Sequence, residues 1–138
     1  MGLSVVIKMG AGPRPATVSV SPTPFSALEQ LIADLRSNGV TVALSDEITQ
    51  PFFAVPAKIL EVNGDTGVQV FEFPDRTAIE HATTLVAPDG NTINNIIPGW
   101  ASLPHFFRRD NLIVLYVGAN PMVLTTLRIV LGPQFAGT

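Results

Sequence analysis

Six consecutive apolar residues, Leu112-Ile113-Val114-Leu115-Tyr116-Val117, stand between Asn111 and Gly118. Along a β-strand, successive side chains point to opposite faces. A strand apolar at every position therefore has to be covered on both sides, which makes it a central strand of a sheet. The rest of the chain has to supply the strands that flank it and the surfaces that cover it. Just before it, Arg108-Arg109-Asp110-Asn111 is polar and turn-like, and residues 100–107 read as extended with Pro104 among them. Residues 92–97 also have strand character, interrupted at Pro98-Gly99.

A second hairpin is signalled further upstream. Residues 68–73, Val-Gln-Val-Phe-Glu-Phe, follow Asn63-Gly64-Asp65-Thr66-Gly67, a turn with two glycines available for positive φ. The apolar stretch before it, residues 52–62, contains Pro56. Proline cannot donate to a sheet ladder, so this stretch is expected at an edge or at a bulge. Another strand is expected at residues 40–44, where Val40, Val42 and Leu44 share a face, before the polar Ser45-Asp46-Glu47.

Three helices carry local start and stop signals. The first is expected over residues 25–37. Ser26 and Glu29 have capping-box spacing, with Thr23 a competing cap, and Pro24 suits an opening position. Phe25, Leu28, Leu31, Ile32 and Leu35 form its apolar stripe, and Asn38-Gly39 stops it. The second opens on Asp75 as N-cap, buries Ala78, Ile79, Ala82, Leu85 and Val86, and ends at Ala87-Pro88-Asp89-Gly90. The third begins at Asn120-Pro121, carries Val123, Leu124, Leu127, Val130 and Leu131, and closes at Gly132-Pro133. Phe135 then pins the tail to the core.

The order is α-β-β-β-α-β-β-α. Strands joined by tight turns run antiparallel, and three one-sided helices need a sheet to cover. The expectation is an α+β fold with an antiparallel sheet of four to five strands in a two-layer sandwich. Helices on both faces is the alternative, and it would account for the doubly apolar central strand. Residues 8–24 contain Pro13, Pro15, Pro22 and Pro24 among Gly, Ser and Thr. Residues 1–24 thus read as a flexible Pro/Ser/Gly-rich segment ahead of a single domain at 25–138, with a weak edge-strand alternation at residues 16–20.

Composition narrows the function. Of 138 residues, 14% are charged, against roughly 25% in an average soluble domain, and eight basic minus eleven acidic residues leave −3. Nucleic acid is a poor partner for such a surface, because duplex binding needs clustered Lys and Arg. With no cysteine, a thiol nucleophile, a disulfide scaffold and a Cys-ligated metal are excluded. The two histidines cannot build a three-His metal site. No apolar run nears the ~18 residues of a membrane span or supplies the ~7–15-residue core of a signal peptide. Val5-Val6-Ile7 is soon interrupted by Lys8.

The pieces V-N-G at 62–64, V-Q-V-F-E-F at 68–73, W-x-x-x-P-H-F-F at 100–107 and L-I-V-L-Y-V-G at 112–118 carry a family likeness. Over residues 25–137 the chain resembles a group of small bacterial extracytoplasmic proteins, often predicted lipoproteins, that have no assigned function. The resemblance implies an exported domain on a Pro/Ser-rich tether and brings no catalytic residues with it. The chain carries neither a lipobox cysteine nor a signal sequence. On this expectation they have been removed, or the protein is not anchored and is otherwise cytoplasmic.

Each candidate for chemistry has a plainer counterpart. His105 lies between Pro104 and Phe106, beside Arg108 and Arg109. It could serve as a general base or simply order a strand as a hydrogen-bonded core residue. Glu72, between Phe71 and Phe73, could be a desolvated proton carrier, or could point outward while the two phenylalanines point in. His81, off the apolar stripe of its helix, reads as solvated. Asp46 and Glu47 could attract a hard cation but fall far short of an EF-hand loop. Arg108-Arg109 could clamp an anion or protect the hairpin from edge pairing. No G-x-S-x-G elbow, S-x-x-K or phosphate-binding glycine loop occurs.

Trp100, Phe106, Phe107 and Tyr116 gather around the second hairpin, either as core or as an exposed surface that recognises a partner. The low charge and a mean hydropathy of +0.37 suit the second option. The leading expectation is a non-enzymatic extracytoplasmic binding domain without cofactor or metal. It would bind a protein or a small apolar ligand through Trp100, His105, Phe107, Arg108 and Tyr116. A small hydrolase or isomerase using His105 with Glu72 is the first alternative, and a structural homodimer the second.

Overall fold

A computed structural model describes residues 26–138. The expected strand at residues 16–20 and the tether reading of residues 1–24 lie outside the described residues. Helix α1 spans Ala27–Ser37, α2 Arg76–Thr84 and α3 Pro121–Leu131. The strands are β1 (Val42–Ile48), β2 (Ala57–Val62), β3 (Asp65–Glu72), β4 (Pro104–Arg109), β5 (Leu112–Val117) and β6 (Ala136–Gly137). All pairings are antiparallel, in the order β1-β2-β3-β5-β4-β6. The α+β class and the antiparallel sheet stand as expected. Among the described residues the sheet has six strands rather than four or five, because the chain after α3 returns to add β6 beside β4.

The caps act where the sequence puts them. Ser26 accepts from the Glu29 amide while the Glu29 carboxylate accepts from the Ser26 amide. Asp75 accepts from the Ala78 amide. Asn120 accepts from the Met122 and Val123 amides. Each cap satisfies N–H groups that the first helical turn leaves without a partner.

β5 lies between β3 and β4, the central position that its composition demanded. Its side chains divide by parity. Leu112, Val114 and Tyr116 join α1, α3, Leu60, Val68 and Phe107 in one core. Ile113 and Leu115 join α2, Phe71, Phe106 and Ile93 in another. Helices therefore cover both faces, and the two-layer expectation gives way to a three-layer arrangement. The physical reason is that no single helical layer could bury both sides of Leu112–Val117.

Local details differ from expectation for identifiable reasons. The β2–β3 turn is only Asn63-Gly64, both with positive φ, as a twist-matched two-residue hairpin requires. Gly67 falls inside β3 instead, where a Cβ would come within 2.5 Å of the Val117 carbonyl oxygen. The other hairpin turns at Asp110-Asn111, so Arg108 and Arg109 belong to β4. Residues 52–62 are not one strand. Pro56 ends a loop, and β2 starts after it as an interior strand rather than an edge. One bulge lies in β1, between Leu44 and Glu47, a second register irregularity falls in the β2–β3 pairing between Leu60 and Val62, and β1 itself runs later than expected, to Ile48. Residues 92–97 form only isolated bridges, Val86 to Ile93 and Ile93 to Ile96. Asn94 and Asn95 both have positive φ and fold the segment back on itself. Helix α2 stops at Thr84, so Leu85 and Val86 pack from beyond it.

Leu115 is fully buried at the middle of β5. Leu115→Ala should lower unfolding stability by about 2–5 kcal/mol, read as a reduced urea midpoint at unchanged m-value. Ile129→Ala, on the exposed side of α3, should shift the midpoint by a small fraction of that.

Candidate functional site

The same parity that divides the core separates the aromatic residues of the second hairpin. Phe107 and Tyr116 face α1 and α3 and are fully buried. Expected among partner-binding residues, they are core residues instead, because their positions point to the covered face. Trp100 and Phe106 lie on the α2 side, with ring centroids 6.3 Å apart. The sheet thus stands between two halves of what the sequence suggested was one group.

His105 is 3% exposed. Its Nδ1 lies 3.0 Å from Gln134 Oε1 and its Nε2 lies 3.1 Å from the Gly118 carbonyl oxygen. Gln134 in turn donates from Nε2 to the Thr138 carbonyl at 3.0 Å, and the imidazole stacks on the ring of Tyr116. Both ring nitrogens face protein oxygens, which leaves neither for a substrate. Glu72 lies opposite Leu112, whereas His105 is level with Tyr116 and Val68. Four residues along the strands separate the two levels, roughly 13 Å at ~3.3 Å per residue. The pair proposed for catalysis is not brought together. His105 acts as a tie between β4, the turn after β5 and the C-terminal strand.

A second polar tie lies beside it. The Tyr116 hydroxyl donates to Asp65 Oδ2 at 2.7 Å and accepts from the Asn120 amide at 3.1 Å. Asp65 Oδ1 accepts from the Gly67 amide. Burial, and then the hydrogen bond to Asp65, push the phenol up to about 12.

Clefts open to the surface around the sheet and α2. One, of about 610 Å³, is lined by Arg76, Arg108, Arg109, Asp110 and Asn111. It is polar and open, and much of its positive charge is already committed. Arg76 pairs with Glu80, and Arg109 with Asp34 and Asp110. The Arg109 guanidinium, helped by Gln30, holds the Asp34 carboxyl below its usual range. Arg108 is half-buried at this cleft.

A more enclosed cleft of about 330 Å³ lies between the β1–β2 loop and α2. Phe52, Phe53 and Phe73 contribute aromatic walls, Ala78 and Leu85 the helix side, and His81 and Asn94 are its polar members. Small residues on α2 leave the space, while the loop between Pro51 and Pro56 places two phenylalanines against it. Phe52 also lines a neighbouring cleft of about 410 Å³ with Gln50, Gln69, Pro98 and Trp100. There Gln50 Nε2 donates to Gln69 Oε1 at 2.9 Å. Trp100 is held by donating Nε1 to the Gly90 carbonyl at 2.8 Å, and its ring centroid is 5.7 Å from that of Phe52.

Sequence reasoning singled out Trp100 but missed Phe52, Phe53 and Phe73 as cleft residues. The usable signal was Pro51 and Pro56 bracketing two adjacent aromatics, a loop pattern rather than a strand pattern. His81 is exposed as expected, yet stands at a cleft. Asp46 and Glu47 line a small surface cleft with Lys58. Among the described residues, no three His, Asp or Glu side chains gather as a metal site requires, and no helix is long and apolar enough to cross a membrane. No protein-family model matches the chain, and neither a curated protein nor a solved structure matches it.

The chain has one tyrosine, so phenolate absorbance reports Tyr116 alone. Its titration midpoint should fall at about 12. Asp65→Asn should bring the midpoint down while leaving it above 10, because burial is the larger cause. Since the folded state holds this proton more tightly than the unfolded chain, the associated stability is complete below about pH 10 and is lost as pH rises through about 12.

Proposed function

We propose that the protein is a non-enzymatic binding domain whose ligand is a small apolar or amphipathic molecule held on the α2 face. The observation that carries this reading is the pair of clefts meeting at Phe52. One is apolar and floored by phenylalanines, and the other holds Trp100 and a hydrogen-bonded glutamine pair. Ligand sites are concave, mostly apolar and furnished with a few orienting polar groups, commonly within about 300–1,000 Å³. An apolar body would fill the space beside Phe53, Ala78 and Leu85. A polar end would meet His81 and Asn94, or the glutamine amides across Phe52.

Of the residues first expected to bind, Trp100 keeps a place in this reading, and Arg108 lies at the separate polar cleft. An extracytoplasmic setting belongs to the same proposal and rests on the family resemblance. A fusion of the intact gene product to a reporter active only outside the cytoplasm checks that part, and an inactive reporter removes it.

Trp100 is the only tryptophan of the chain and serves as a built-in probe. Titration with 1-anilinonaphthalene-8-sulfonate, and separately with dodecanoate, should give a saturable change in Trp100 emission. Ala78→Phe, which fills the apolar cleft from α2, and Val55→Asp, at its loop side, should each weaken binding at least tenfold. Met122→Ser, on α3 across the sheet, should leave it unchanged. A non-saturable response, or equal binding by all the variants, would defeat the proposal.

A further inference from the structure

The contacts around His105 need one hydrogen more than a neutral ring carries. They run from the Gly118 carbonyl through both ring nitrogens and the Gln134 amide to the Thr138 carbonyl. Each end is a carbonyl oxygen, which only accepts. His105 Nε2 must then donate to Gly118, and Gln134 Nε2 to Thr138. That leaves Gln134 Oε1, a third acceptor, facing Nδ1 at 3.0 Å. A neutral imidazole has a hydrogen on one nitrogen, an imidazolium on both. Turning the Gln134 amide over would bond a neutral ring but set Oε1 against the Thr138 carbonyl. Moving the ring hydrogen to Nδ1 would leave Nε2 with a lone pair toward Gly118. Whichever way the groups turn, the neutral ring leaves one contact unmade at a site 3% exposed, where an unmade bond is costly.

We propose that His105 is a pH-dependent latch: the imidazolium fastens the C-terminal strand β6 to the sheet, and loss of its second hydrogen loosens that strand. His105 stands opposite Gly137, and β6 is only two residues long. A single bond is therefore a large share of what holds it. Latching requires a hydrogen that the loosened strand does not, so it is complete at low pH and fades as pH rises through the loss of that hydrogen.

The ionisable groups around the ring neither supply nor replace this hydrogen. On β5, Tyr116 stacks on the imidazole with ring centroids 6.0 Å apart, and an aromatic face attracts a cation. Asp65 of β3 accepts from the Tyr116 hydroxyl and the Gly67 amide. Asp89 lies beside Pro88, whose carbonyl takes the Gly137 amide, and its carboxylate accepts from the Asn91 amide. The ionisable residue of α3, which packs on β4, is Arg128, and it is exposed. Arg108 and Arg109 lie toward the other end of β4, level with Ile113 and Leu112. Among the described residues no carboxylate pairs with His105, and residues 1–25 contain no acid. The charge is thus held by the two oxygens, and bonds from an ionised donor are the stronger kind. The latch reaches the α2 side as well. Phe135 and Ala136 pack in that core, with the Phe135 ring 6.0 Å from Phe106 and Phe106 6.3 Å from Trp100.

The test is amide hydrogen exchange, expressed as protection relative to free-chain rates at the same pH. The reporters are the Phe135, Gly137 and Thr138 amides, which bond to Phe106, Pro88 and Pro104. Measurements at about pH 5 and about pH 8 span the interval in which imidazole side chains change charge. Protection of the three amides should be about tenfold or more lower at the higher pH, with β3 and β5 unchanged. Ring-nitrogen NMR should find hydrogens on both nitrogens of His105 at the lower pH and on one at the higher; loss of these signals in His105→Gln tells them from those of His81. Gln134→Met, which removes the third acceptor, should leave protection of β6 low and equal at the two pH values. Gln134→Glu should keep the second ring hydrogen to a higher pH. Protection of β6 that is flat or rises with pH in the unaltered chain, a pH dependence that survives Gln134→Met, or an Nδ1 without hydrogen at the lower pH would each overturn the proposal.

Discussion

The rest of the structure depends on burying β5 from both sides. Leu112, Val114 and Tyr116 need one covering layer, and Ile113 and Leu115 need another. At about 25 cal/mol per Å² of apolar surface removed from water, leaving either row exposed would carry a large penalty. The helices are therefore divided between the faces, α1 and α3 on one and α2 on the other. The strand order follows as well, since β3 on one side and the hairpin partner β4 on the other keep β5 away from the edges.

That division also separates structural polarity from binding potential. On the α1/α3 side, His105 and Tyr116 use their polar atoms on Gln134, Gly118, Asp65 and Asn120. A buried polar group without a partner is costly, so these bonds are the condition for placing an imidazole and a phenol in a core. They fasten the turn after β5, the start of α3 and the C-terminal strand at one end of the sheet. Among the described residues, the α2 side has a single short helix to cover it. The β1–β2 loop and residues 86–100 complete that layer, and irregular segments meet less closely than helices do. The clefts at Phe52 lie at those seams.

Much of the fold was legible because its signals are short-range. A cap needs only the two or three residues after it, so Ser26, Asp75 and Asn120 mark their helices locally, although Thr23 competes with Ser26 in the sequence. Asn63-Gly64 specifies its hairpin through backbone preference alone. The central place of Leu112–Val117 follows from its own composition. By contrast, residues 92–97 have strand composition but no free ladder to join, and the turn at Asn94-Asn95 returns them to their own neighbours.

The amino-acid sequence by itself determined the helices, the hairpins, the middle of the sheet and the absence of thiol chemistry, since each rests on residue type or near neighbours. Only the tertiary structure decided what His105, Phe107, Trp100 and Phe52 do. Strand register sent Phe107 and Tyr116 to one face and left Trp100 with Phe52 on the other. It also put His105 and Glu72 at different levels of the sheet. Those outcomes depend on which distant segments pack together, and a side chain's surroundings are a property of the whole fold rather than of its neighbours in the chain.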